Sequence, residues 1–178
     1  MKKISLINNF YLSIIIIVTL GFIFHYLYQL TNQNFFIGMI SPVNESVFEH
    51  LKLVLYPSLI WWTIFYIINK DKINAPTWFL GFFISSIISM MIIMNTYYLL
   101  KYGFNISSLI MNIITLILAV ITGQLLGYFI YIKINNVNIM LPIILIITLI
   151  ISFSCLTINP PKLPIFKDDL NNTYGMVD

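Results

Sequence analysis

Along this chain long apolar runs alternate with short polar breaks, and the breaks carry nearly all the charge. Nothing formally charged lies between Lys3 and Glu45, and after Lys52 the next charge is Lys70. Further charge-free runs lie between Lys72 and Lys101, between Lys101 and Lys133, and between Lys133 and Lys162. Each run holds a helix of about 17–25 residues, the length that crosses a bilayer. Lipid offers no partner to an open backbone amide, so every amide must pair within its own segment, which selects helices. A β-barrel alternates polar and apolar residues in short segments, and these runs do not alternate. The pattern predicts five spans: Asn8–Leu30, Asn44–Asn69, Thr77–Lys101, Ser107–Ile132 and Asn138–Ile158. The expected fold class is all-α, a polytopic membrane helix bundle over residues 1–158. The C-terminal tail, 159–178, is expected to be extended, because Asn159-Pro160-Pro161-Lys162-Leu163-Pro164 cannot continue a helix. It is either a solvated end or a strap pinned across the helix ends by Leu163, Ile165 and Phe166.

Composition sharpens the class. Of 178 residues, 60% are hydrophobic and only 8% charged, whereas a soluble domain carries about 25% charged residues. Mean hydropathy is +0.94. An ordinary soluble domain, a disordered tail and a nucleic-acid binder are thereby excluded, and the partner expected is the lipid bilayer. Nine lysines, no arginine and six acids give a net charge of +3, too small a balance for a nucleic-acid partner. The single cysteine, Cys155, has no internal disulfide partner and reads as a buried hydrophobe.

Lysine placement orients the bundle. Lys2, Lys3, Lys70, Lys72 and Lys133 fall on one side, and Lys101, Lys162 and Lys167 on the other. The N-terminus is therefore expected in the cytoplasm and the tail, with Asp168, Asp169 and Asp178, outside. The first run reads as a retained signal-anchor helix, being long and lacking a small-residue cleavage site. Gly123 and Gly127 form a small-xxx-small pattern, suited to packing within the monomer or to a homodimer contact. Trp78, Tyr97 and Tyr98 read as interfacial anchors, while Trp61 and Trp62 sit mid-span and should pack between helices.

The candidate chemistry is concentrated in Ser41-Pro42-Val43-Asn44-Glu45-Ser46-Val47-Phe48-Glu49-His50-Leu51-Lys52, at the start of the second span. At about 100° per helical residue, Glu45, Glu49 and Lys52 share one face, with Ser46 and His50 on the adjacent face. Part of this is explained by a helix start: Ser46-x-x-Glu49 fits a capping box, and Ser41-Pro42 fits an N-cap followed by N1. His50 and the density of polar groups are not explained that way. Charged groups within a span cost about 2.5–3.5 kcal/mol each, so they face a cavity or a partner. His25, late in the first span, reaches the same level of the membrane. Across the tail, Asp168 and Tyr174 leave the bundle at that side.

Pro42-Val43-Asn44-Glu45-Ser46 followed by Glu49-His50-x-Lys52 resembles the signature of an uncharacterised family of small multi-pass bacterial membrane proteins, described as a domain of unknown function. His25 in His-Tyr-Leu-Tyr is similar to that family's first-span histidine. Pro160-Pro161-x-Leu163-Pro164-Ile165-Phe166-x-Asp168, then Tyr174-Gly175, resembles its C-terminal motif. Phe48 stands where a Trp is expected, and Asp169 where a Pro is expected. The resemblance implies a multi-pass protein of the bacterial cytoplasmic membrane and no established activity.

Three functions compete on the residues alone. A membrane-embedded enzyme would use His25, Glu45, Glu49, His50 and Asp168 as ligands to zinc or a similar divalent metal, acting on a lipid or envelope ester. Its catalytic set would be Glu45, Glu49, His50, Ser46 and Lys52, with Asn44 and Tyr174 nearby, and a metal-free variant would activate Ser46 through His50. A transport component would relay protons or cations through the same groups. A structural, sensory or assembly subunit would use them only to lock helices.

Overall fold

The computed structural model describes residues 6–176, with side chains from Asn9 onward. Lys2, Lys3 and Asp178, which contribute to the orientation expected from sequence, lie outside these residues. Helix α1 (Leu6–Leu30) is followed by the single turn α2 (Phe35–Gly38) and the single turn α3 (Val47–His50), which runs into α4 (Lys52–Asn69). Then come α5 (Ala75–Tyr98), extended by a π-turn over Leu99–Gly103, α6 (Leu109–Lys133) and α7 (Met140–Ile158). Among the described residues, five stretches are long and apolar enough to cross a membrane: Asn9–Leu30, Val47–Asn69, Ala75–Gly103, Leu109–Lys133 and Met140–Ile158. This is the architecture of a polytopic helical bundle.

Local chemistry sets the ends. Asn32 and Gln33 take positive φ after α1, and Asn34 caps α2 through its side-chain oxygen. Asn74 caps α5, accepting from the Thr77 amide at 3.3 Å, with Pro76 in the first turn where its missing N–H costs nothing. The second span begins at Val47, three residues later than the expected Asn44, because Ser46 is extended (φ −71°, ψ 153°) and caps the helix. Pro160-Pro161 stops α7.

Two groups of contacts hold the bundle. At one end Trp62, Trp78 and Tyr128 pack together, with Trp62 and Trp78 ring centroids 4.3 Å apart. The Trp78 indole donates to the Trp62 carbonyl at 2.8 Å, and the Trp62 indole to Gln124 Oε1 at 3.1 Å. Trp61 and Trp62 are buried between helices, and so is Trp78. The interfacial role expected of Trp78 is therefore corrected, since its N–H finds a backbone carbonyl inside the bundle. Cys155 is likewise corrected: it is exposed on the outside of α7, where lipid would contact it.

Along the α5–α6 seam, Gly81, Ser85 and Ser89 meet Gly123 and Gly127. A Cβ at Gly123 would lie 2.6 Å from the Ser85 carbonyl oxygen, and one at Gly127 2.6 Å from the Gly81 carbonyl oxygen. Both glycines are thus occupied by α5 of the same chain. Ser89 and Gln124 hydrogen-bond within this seam, to the Ala119 carbonyl and to Ser85.

Gly21 of α1 lies against α4 where Pro57 has removed an amide donor. The carbonyl four residues before that proline, Leu53, lacks its helical partner. A Cβ at Gly21 would lie 2.9 Å from this oxygen. Gly21→Ala should therefore lower unfolding stability by about 1–3 kcal/mol, the cost of overpacking, read as the thermal midpoint in detergent. An unchanged midpoint would mean that the two helices separate freely there.

Candidate functional site

The helices alternate in direction, so the end of α1, the starts of α3 and α6, and the ends of α5 and α7 meet at one end of the bundle. The tail folds back over that end. Phe166 is buried on Phe48, with ring centroids 4.6 Å apart, while Ile165 is half-buried and Leu163 points outward. The Met176 amide donates to the Thr157 carbonyl at 3.2 Å, and Asn44 Nδ2 to the Gly175 carbonyl at 3.1 Å. Gly175 has a φ of +66°, and a Cβ there would strike Pro160 and the Thr157 carbonyl oxygen. Tyr174 pairs with Lys167 in an isolated antiparallel bridge.

The polar residues of the second span divide into two clusters with different environments. The first is a buried clasp. Lys52 Nζ donates to Glu49 Oε2 at 2.6 Å, to the Gly38 carbonyl at 2.7 Å and to the Ser41 carbonyl at 3.3 Å. Glu49 Oε2 also accepts from the Val43 amide at 3.0 Å, and Oε1 from the Thr157 hydroxyl at 2.9 Å. The side chains of Lys52 and Glu49 are 0% and 2% exposed. All three ammonium hydrogens and both carboxylate oxygens are paired. The clasp ties the α2–α3 loop, the start of α4 and the end of α7 together.

Ser46 and Ser41 are also structural. Ser46 Oγ accepts from the Glu49 amide at 3.3 Å, which is half of the expected capping box. The other half is absent: the Ser46 amide donates to Asn44 Oδ1 at 3.0 Å, because the Glu49 carboxylate is engaged in the clasp. Ser41 is not an N-cap. Its hydroxyl enters α1, donating to the Phe24 carbonyl at 2.6 Å and accepting from the Tyr28 amide at 3.1 Å.

The second cluster is His25, Glu45 and His50. Since Ser46 is extended, Glu45 stands outside the helix and leaves the face shared by Glu49 and Lys52. Its Oε2 lies 3.3 Å from His50 Nε2, and His50 Nε2 lies 3.3 Å from His25 Nε2. One donor atom from each of the three residues falls within 4.8 Å of the others. The opposite ring nitrogen of His50, Nδ1, is 2.8 Å from the Ser46 carbonyl oxygen and so must carry a hydrogen. A neutral His50 therefore keeps a lone pair on Nε2, free to bind a metal, whereas a protonated His50 donates from Nε2 to Glu45. The hydrogen bond with His50 holds the Glu45 carboxyl below its ordinary range, against burial, which raises it.

Asp168 lies near this cluster but turns inward on its own loop. It accepts from the Leu170 and Asn171 amides at 2.8 and 3.3 Å and from Asn171 Nδ2 at 3.0 Å. Burial pushes its carboxyl up, but these bonds, with one from the Glu45 backbone, outweigh burial and hold it below its ordinary value. Of the expected metal set, the structure thus brings His25, Glu45 and His50 together and places Glu49 and Asp168 in separate networks.

The triad lies on the wall of a cleft of about 410 Å³, in the range of about 300–1,000 Å³ typical of ligand sites. Phe22, Leu53, Ile93, Ile113 and Leu116 make its apolar lining. Lys101, Tyr97 and Asp169 also line it. The π-turn carries Lys101, whose Nζ pairs with the Asp169 carboxylate and bonds Tyr97 Oη at 3.1 Å. Sequence reasoning used Lys101 only for orientation. Its signal was available: it ends the third span on the side where His25 ends the first.

A family model described as a family of unknown function (DUF6512) matches residues 1–176. No curated protein and no solved structure matches the chain.

Proposed function

We propose, for a chain that belongs to this family of unknown function, a membrane-embedded enzyme in which His25, Glu45 and His50 hold a divalent transition metal. The observation that carries the reading is the spacing of the donors. Ligand atoms about 2.0–2.1 Å from a tetrahedral zinc lie about 3.3 Å apart; His50 Nε2 lies 3.3 Å from both His25 Nε2 and Glu45 Oε2, and all three donors fall within 4.8 Å of one another. Three protein ligands leave a fourth position for water, the usual layout of a catalytic zinc. His50 has the expected support, its far nitrogen fixed on the Ser46 carbonyl. The metal would acidify that water, and hydrolysis would add it across an ester bond of a lipid or envelope substrate, releasing an acid and an alcohol. With the lysine bias, this site faces the outer side of a bacterial cytoplasmic membrane.

A second reading is favoured by His25 Nδ1, which is buried and has no partner among the described residues. A hydrogen on His25 Nε2 instead would donate to His50 Nε2, giving a metal-free pair that locks helices or holds a proton.

Elemental analysis of protein purified without chelators separates the two. Near-stoichiometric zinc is expected in the wild type, removed by a strong chelator and absent from His50→Ala. A wild type that contains no transition metal, and takes up none on addition, overturns the metal site.

A further inference from the structure

We propose that the cleft binds an anionic phospholipid from the bilayer, with one chain between α1 and α6 and the phosphate at Lys101. This deepens the enzyme reading and rests on it for the metal, but lipid and metal are measured separately. The first support is the shape and position of the cleft. Helices α1 and α6 touch near the other end, where Phe10 packs on Tyr128. At the site end the cleft lies between them, lined by Phe22 and Tyr26 from α1 and Leu109 and Ile113 from α6. Phe22, Tyr26 and Leu109 are exposed on the surface that lipid would cover. An occupant therefore enters sideways from the bilayer rather than from water.

The second support is charge. The lining is mostly apolar, and its charged side chains are Lys101, Glu45 and Asp169. The cation there, Lys101, has a carboxylate on it: Asp169 of the tail. That carboxylate is half exposed and comes from the tail that folds over the helix ends, so it occupies the place of an anion beside Lys101. A lipid phosphate offers Lys101 the same charge-assisted contact and brings an apolar chain that Asp169 lacks. A neutral headgroup would not compete with Asp169. Binding should therefore be selective for phospholipids of net negative charge over zwitterionic ones, whose own ammonium already balances the phosphate, and Asp169 should oppose it.

Native mass spectrometry of the full chain, with phosphatidic acid or phosphatidylcholine added to the micelles, reads this directly. Phosphatidic acid should bind about tenfold more tightly than phosphatidylcholine, the scale of one charged hydrogen bond. Lys101→Gln should erase that preference. Asp169→Asn should strengthen phosphatidic acid binding several-fold, an effect opposite to the one expected if the pair merely pins the tail. Leu116→Trp should exclude both lipids; if it fails to fold, Ile113→Trp serves. Inorganic phosphate should not displace the lipid. Equal binding of the two lipids, no gain in Asp169→Asn, or full displacement by inorganic phosphate would each overturn the proposal. Zinc content is read on the same samples. Lipid selectivity without zinc sinks the metal reading alone, and zinc without lipid selectivity sinks this one alone.

Discussion

Glu49→Gln and Lys52→Met should each destabilise the protein by about 3–5 kcal/mol, because each leaves a buried charge without its partner. The expectation follows from the geometry of the clasp. Lys52 Nζ has three acceptors, and the Glu49 carboxylate has three donors from three parts of the chain. Neither group reaches solvent. In Glu49→Gln the ammonium keeps two carbonyls but loses its counter-charge. In Lys52→Met the carboxylate keeps Thr157 and the Val43 amide but is uncompensated. The double variant removes both charges and should recover a large part of the loss, so the two effects should be far from additive. Thermal and denaturant midpoints of the four proteins in one detergent close the cycle. Additive losses would mean that the two charges do not sense each other. A variant that remains folded should still take up zinc, since neither residue belongs to the His25–Glu45–His50 cluster. Loss of zinc with an intact fold would return Glu49 to the metal site.

The second large effect is expected at the α5–α6 seam. Gly123→Val and Gly127→Val should each cost at least about 1–3 kcal/mol, the usual range for overpacking. The upper end is expected because the nearest atoms include backbone carbonyl oxygens, which cannot rotate aside. Lipid gives helices no hydrophobic reason to associate, so close approach and van der Waals contact carry the seam. Unfolding midpoints together with size-exclusion profiles check this. A lower midpoint with unchanged mass is the expected result. An unchanged midpoint with a shift in oligomeric mass would assign the glycines to a contact between copies.

How much of this was legible beforehand differs between span and site. Charge spacing located all five spans within a few residues, because the cost of burying Lys, Asp or Glu in lipid is local and needs no knowledge of neighbours. The largest error lay at Asn44, where a helical wheel was extended through Ser46. The wheel put Glu45 on the face of Glu49 and Lys52. One extended residue at the cap moved it to His50 instead. Thr157 was invisible as a partner of Glu49, being 108 positions away in the chain. Trp78 read as an anchor since its place near a span end is a matter of sequence, while the Trp62 carbonyl that receives its N–H is a matter of packing.

By itself the sequence determined that the chain is a bundle of membrane-length helices, and that its polar groups gather at one end. Composition and run length are enough for that, since the bilayer imposes the same cost at every position along a span. Only the tertiary structure decided which polar groups meet. It separated Glu49 and Lys52, sealed in a fully paired clasp, from His25, Glu45 and His50, open to a cleft. The reason is physical: hydrogen bonds and metal coordination act over about 3 Å, and distances on that scale between residues far apart in sequence are set by how the helices pack.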